Sequence, residues 1–61
     1  VHPALARAPR WSVGQRLIEI ATGRTWWVDE LRSGQLEVVG VVLDEGPEVT
    51  EWRAVGEFRA A

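Results

Sequence analysis

Glycine occupies positions 14, 23, 34, 40, 46 and 56 of this 61-residue chain and cuts everything after Trp11 into pieces of a strand's length. Each glycine inside a helix costs about 1 kcal/mol relative to alanine, so this spacing opposes long helices and favours short strands joined by tight turns. A chain of this length forms one domain and buries only about 60% of the surface its unfolded form exposes. Such small domains usually supplement a thin core with disulfides, a metal or a partner. There is no cysteine, which removes disulfides, thiolate zinc sites and thiol chemistry together. The one histidine, His2, lies among Ala, Pro and Arg, so no metal and no cofactor is expected. That leaves a core built on the four tryptophans, or association with another chain.

Residues 1–10, VHPALARAPR, read as a flexible basic arm, because Pro3 and Pro9 frame a helical turn too short to persist. Residues 11–61 read as the folded domain. Gln15 to Ala21 alternates as a half-buried strand, with Arg16, Ile18 and Ile20 on one face and Leu17, Glu19 and Ala21 on the other. After the turn at Thr22-Gly23-Arg24, β-branched and aromatic residues predict a second strand from Thr25 to Arg32. A tight turn over Arg32-Ser33-Gly34-Gln35, with Gly34 at positive φ, leads to a third strand from Leu36 to Asp44, and the three form an antiparallel meander. The third strand is apolar on both faces, with Leu36, Val38 and Val42 on one and Val39, Val41 and Leu43 on the other; Gly40 at its centre predicts a bend. Asp44-Glu45-Gly46-Pro47-Glu48 is a loop. A fourth strand follows from Val49 to Val55, then a break at Gly56 and a short closing strand after a single 3₁₀ turn. Trp52, Val55 and Arg59 also fall at helical spacing, an alternative that Gly56 and the valines oppose.

Five short strands with a glycine-bearing lead (Val13-Gly14-Gln15-Arg16-Leu17), a tight hairpin and an aromatic-rich second strand resemble an SH3-like small β-barrel, the superfamily that includes Tudor, KOW and bacterial SH3-like modules. The resemblance spans Trp11 to about Arg59 and implies an all-β, five-stranded barrel. Tudor readers of methylated side chains use aromatic cages that usually include tyrosine, and this chain has none. KOW modules commonly offer basic loops to RNA or ribosomal partners, whereas the main loop here is acidic. The likeness implies a fold more than a job.

Catalysis finds few candidate groups. Cys, Lys and Tyr are absent, and the acids of the 44–48 loop are expected to be solvated, so the chain reads as a non-enzyme. No apolar run approaches the roughly 20 residues of a membrane helix, and no secretory segment is recognisable, which predicts a soluble cytoplasmic protein. All seven basic residues are arginine and there is no methionine. With Val1 as first residue, the chain reads as a fragment, a processed product or a frame with an alternative start, and as bacterial or phage in origin. The formal net charge of −2 argues against phosphate binding, yet residues 1–16 hold Arg7, Arg10 and Arg16 with no acid, while residues 37–51 hold five acids with no base. An arginine arm beside Trp11 keeps a small nucleic-acid-binding regulator open as the alternative. A structural component of a phage-type assembly is a further one.

The adjacent tryptophans sharpen the reading. Neighbours on a strand face opposite ways. Asp29 shares the face of Trp27 and prefers water, so Trp26 and Val28 are expected inward and Trp27 outward, with Leu31 turning inward only if Asp29-Glu30 makes a β-bulge. Outward Trp27 with Val39, Val41 and Leu43 would form an apolar patch of the kind that marks a partner-binding surface. Trp52 fits core or surface equally, and Trp11 fits the cover of an open barrel end. The expected function is a non-catalytic protein-interaction module that binds a protein partner or itself, with Trp27, Val39, Val41, Trp52, Arg7 and Arg10 as binding residues.

Overall fold

A computed structural model of the chain describes residues 10–61. These residues form an all-β unit of five antiparallel strands: β1 (Arg16–Glu19), β2 (Thr25–Arg32), β3 (Gln35–Leu43), β4 (Glu51–Ala54) and, after a 3₁₀ turn over Val55–Glu57, β5 (Phe58–Ala60). Their order in the sheet is β4-β3-β2-β1-β5, so the meander lies in the middle and the last strand returns beside the first. The helical alternative for the last segment is not taken. No helix among the described residues is long and apolar enough to cross a membrane.

The turns follow the glycines. Ser33-Gly34 links β2 to β3 with Gly34 at φ 79°, a conformation in which any other residue is strained. At the other end of the hairpin Trp26 faces Leu43, Trp27 faces Val42 and Val28 faces Val41. Past Val28 the register shifts, with Glu30 opposite Gly40, so Asp29 and Glu30 form the bulge that Leu31 needs to reach the core. Gly40 is the bend. A Cβ there would come within 3.0 Å of Thr50 Cγ2, 3.1 Å of the Glu30 carbonyl and 3.2 Å of Trp52 Cη2, so the absence of a side chain lets Trp52 and the chain before it close over β3.

The core comprises Trp11, Leu17, Trp26, Val28, Val39, Val41 and Phe58, with Leu31, Leu43 and Val55 packed against it. Trp26 and Phe58 meet edge to face at 6.2 Å, a geometry that suits their quadrupoles. Trp11 is part of this core: it is 9% exposed and its Nε1 donates to the Val55 carbonyl at 3.4 Å.

Here the reading of β3 needs correction. Val39 and Val41 are fully buried and lie inward, not on an outer patch. The reason is register: residues directly opposite share a face, so inward Trp26 and Val28 bring Leu43 and Val41 inward with them, and Val39 follows at the two-residue period. Val42 is the valine that faces outward beside Trp27.

The two outer strands, β4 and β5, share no ladder. The 3₁₀ turn carries the chain from one edge to the other, and the Ile20 N–H donates to the Glu57 carbonyl at 2.9 Å. Side chains complete the link. Glu19 is only 7% exposed, yet its carboxylate is well satisfied: Oε1 accepts from Thr22 Oγ1 at 2.9 Å and from Trp26 Nε1 at 3.1 Å, and Oε2 from Arg53 Nη2 at 2.6 Å. The same Arg53 guanidinium donates through Nε and Nη2 to Glu57 Oε1, at 3.1 and 2.5 Å, and Glu57 Oε2 accepts the Ala54 N–H at 3.0 Å. Thus β4 is tied to β1 and to the 3₁₀ turn by one arginine. Hydrogen bonds from Arg53 first, and from Thr22 next, hold the Glu19 carboxyl below its ordinary pKa. Glu57 is also lowered, chiefly by Arg53, and Arg53 is raised, chiefly by Glu57 and then Glu19.

Candidate functional site

Opposite the core, the sheet presents an outer face whose centre is Trp27. Three neighbours fix this half-buried indole. Val42 lies directly across β3, the Arg16 guanidinium stands 4.5 Å from the ring centroid, and Trp27 Nε1 donates to Asp44 Oδ1 at 2.5 Å. A stacked guanidinium and a charge-assisted hydrogen bond hold the ring in one orientation, so the side chain keeps little rotational freedom. Sequence reasoning chose Trp27 and placed it outward, and the structure puts it there.

The segment from Asp44 to Thr50 folds back over this face. Thr50 Oγ1 donates to Asp29 Oδ2 at 2.7 Å, which anchors the returning chain to the bulge. Between the loop and the sheet lies a shallow groove lined by Trp27, Asp29, Val42, Glu48 and Thr50. Its floor is aromatic and aliphatic and its wall is acidic. Among the described residues, every salt bridge involves Arg53, with Glu19, Glu51 or Glu57. The carboxylates of Asp29, Asp44 and Glu48 therefore have no ionic partner among those residues.

Trp52 sits on the same outer side, half-buried over Gly40, with the Arg32 guanidinium 4.1 Å from its ring centroid. It lies past the bulge, since Gly40 faces both Trp52 and Glu30. The structure thus brings together Trp27, Val42, Arg16, Asp44 and Thr50, with Trp52 farther along β3, and it removes Val39 and Val41 from the surface. Arg7 lies outside the described residues, as does the proposed arm except for Arg10, which is exposed and stands 5.3 Å from the Trp11 ring centroid. Because Trp11 itself is buried in the core, its ring is not a free platform on which a base could stack.

Two groups of residues escaped sequence reasoning. The inward placement of Val39 and Val41 was within reach, because an uninterrupted ladder counted back from Ser33-Gly34 already pairs Val28 with Val39 and Trp26 with Val41; Val42 as the partner of Trp27 was not, since it depends on the register shift past Val28. The Glu19–Arg53–Glu57 cluster gave no comparable signal, since Glu19 and Arg53 are 34 residues apart.

Among the described residues no three His, Asp or Glu side chains gather in a way that could hold a metal ion. No family model, no curated protein and no solved structure matches the chain, so its geometry alone carries the functional reading.

Proposed function

We propose that this chain is a non-catalytic protein-interaction module built on an SH3-like small barrel, and that it docks a protein surface on the outer face centred on Trp27. The strand order, the bend at Gly40 and the 3₁₀ turn before β5 support the barrel. The observation that carries the function is the fixed presentation of Trp27, an aromatic held by Arg16 and Asp44 on a face the core does not use. Tryptophan and arginine are the residue types most enriched at the centres of interfaces, where a buried ring supplies affinity and charges at the rim supply orientation. Val42 and Trp52 extend the apolar part of the face.

A photo-crosslinking residue placed at Val42 in the full chain, in the cell that makes it, tests this reading. It should capture protein far more efficiently than the same residue at Arg24, in the β1–β2 turn. Equal capture at both positions would remove the docking role from the outer face.

A further inference from the structure

The charges on the outer face are sorted by strand. On the β1 and β5 side stand Arg16 and Arg59: Arg16 lies against Trp27, and Arg59 faces Ile18, two residues along β1, so both share the outer face. On the β3 and β4 side stand Asp44, which bonds the Trp27 ring, and Glu48, which walls the groove, while Asp29 lies on β2 itself and accepts from Thr50 Oγ1. Trp27, on the central strand β2, marks the border. None of these five charges has an ionic partner among the described residues. Past the bulge the pattern ends, and Arg32 is stacked on Trp52.

A face with one basic and one acidic half is complementary to itself under a two-fold rotation. With the axis lying in the interface along β2, each residue on one side of the axis meets the opposite side of the partner. Arg16 and Arg59 of one copy then approach Asp44 and Glu48 of the other, and the two Trp27 rings meet near the axis with Val42 beside them. We propose that the occupant of this face is a second copy of the chain, paired face to face about a two-fold axis that runs along β2 at Trp27. This rests on the outer face being an interaction face and names its partner. Apolar burial supplies the affinity and the sorted charges set the orientation. Such pairing also supplies the added burial that a cysteine-free chain of this size lacks.

Sedimentation equilibrium of the full chain, from micromolar to millimolar concentration, should show a monomer–dimer equilibrium that weakens with salt. Arg59→Glu and Glu48→Arg both lie at exposed positions, so circular dichroism should show each variant folded. Each alone places like charges opposite one another twice and should weaken dimerisation by at least about tenfold. Mixed in equal amounts, they should dimerise with each other about as tightly as the parent chain, because both cross-axis pairs are restored.

A chain that stays monomeric throughout overturns the proposal, and so does a dimer indifferent to either reversal or one that the mixture does not restore. If the monomeric chain nonetheless crosslinks other proteins from Val42, the face docks a different protein and only the self-pairing falls. Monomer with no preferential crosslinking removes both.

Discussion

Trp26 and Trp27 are neighbours of identical chemistry, and the molecule treats them oppositely. Trp26 lies in the core, packed on Phe58, with its N–H donated to the buried carboxylate of Glu19. Trp27 lies on the outer face with its N–H donated to the exposed carboxylate of Asp44. An arginine attends each ring: Arg53 stands 5.5 Å from the Trp26 centroid and Arg16 stands 4.5 Å from that of Trp27. The difference lies in what else those groups do. Arg53 also binds Glu19 and Glu57 and thereby links β4 to β1, so the inner tryptophan belongs to the cluster that ties those two strands together. Among the described residues the side chains of Arg16 and Asp44 hold only Trp27 and take no part in the Arg53 cluster. One strand thus serves the core on one side and the proposed docking face on the other.

The largest expected effects fall on the inner side. Arg53→Ala leaves Glu19 buried without its ion-pair partner, a change that typically costs about 3–5 kcal/mol. A 61-residue domain has about 3–9 kcal/mol in total, so this variant should lose roughly half or more of its stability, read by circular dichroism as a much lower urea midpoint at neutral pH. Next comes Gly40→Ala, where the new methyl meets the Glu30 carbonyl as well as side-chain atoms of Thr50 and Trp52; urea unfolding should show a loss of about 1–3 kcal/mol, as in other overpacked sites. A loss near zero would mean that the bend relaxes freely.

Acid should also act on the inner side. Glu19 and Glu57 have folded-state pKa values below the ordinary one, so the unfolded chain takes up protons first as pH falls. Their stabilising contribution is complete above the unfolded carboxyl value of about 4.3 and is lost as pH drops through the folded values. Tryptophan fluorescence followed during acid titration should report unfolding in that range, and Glu19→Gln should flatten the dependence. The outer-side changes are smallest in stability. Arg16→Ala removes one exposed cation–π contact, worth about 0.5–1 kcal/mol, and its main effect should be a weaker hold on the Trp27 ring, read as increased depolarisation of its fluorescence.

Much of this architecture was legible in the residues. Glycine spacing placed the turns and all five strands, Gly34 took its positive φ, and the alternation around Asp29 separated Trp26 from Trp27 and required the bulge that frees Leu31. Strand β2 has the bounds expected of it and β3 is shifted by one residue, whereas β1 and β4 are shorter than their patterns at both ends: β1 stops at Glu19 because the turn to Arg24 begins there, with the Gly23 N–H donated to the Glu19 carbonyl. Val39 and Val41 were misplaced because β3 is apolar on both faces, so composition alone does not say which face is inward; only pairing with β2 does. Glu19 was illegible for a different reason. A carboxylate at an inward position is costly unless paired, and its pairing depends on Arg53, which only the folded sheet brings near.

Equilibrium urea unfolding of Trp27→Ala and Trp26→Ala, side by side at concentrations low enough to keep both monomeric, tests the division between the two faces most directly. Trp26→Ala should lose about 3–5 kcal/mol, as expected for truncating a buried aromatic, while Trp27→Ala should stay within about 1 kcal/mol of the parent chain. Equal losses for the two would place Trp27 among the residues that hold the fold together and contradict its assignment to recognition.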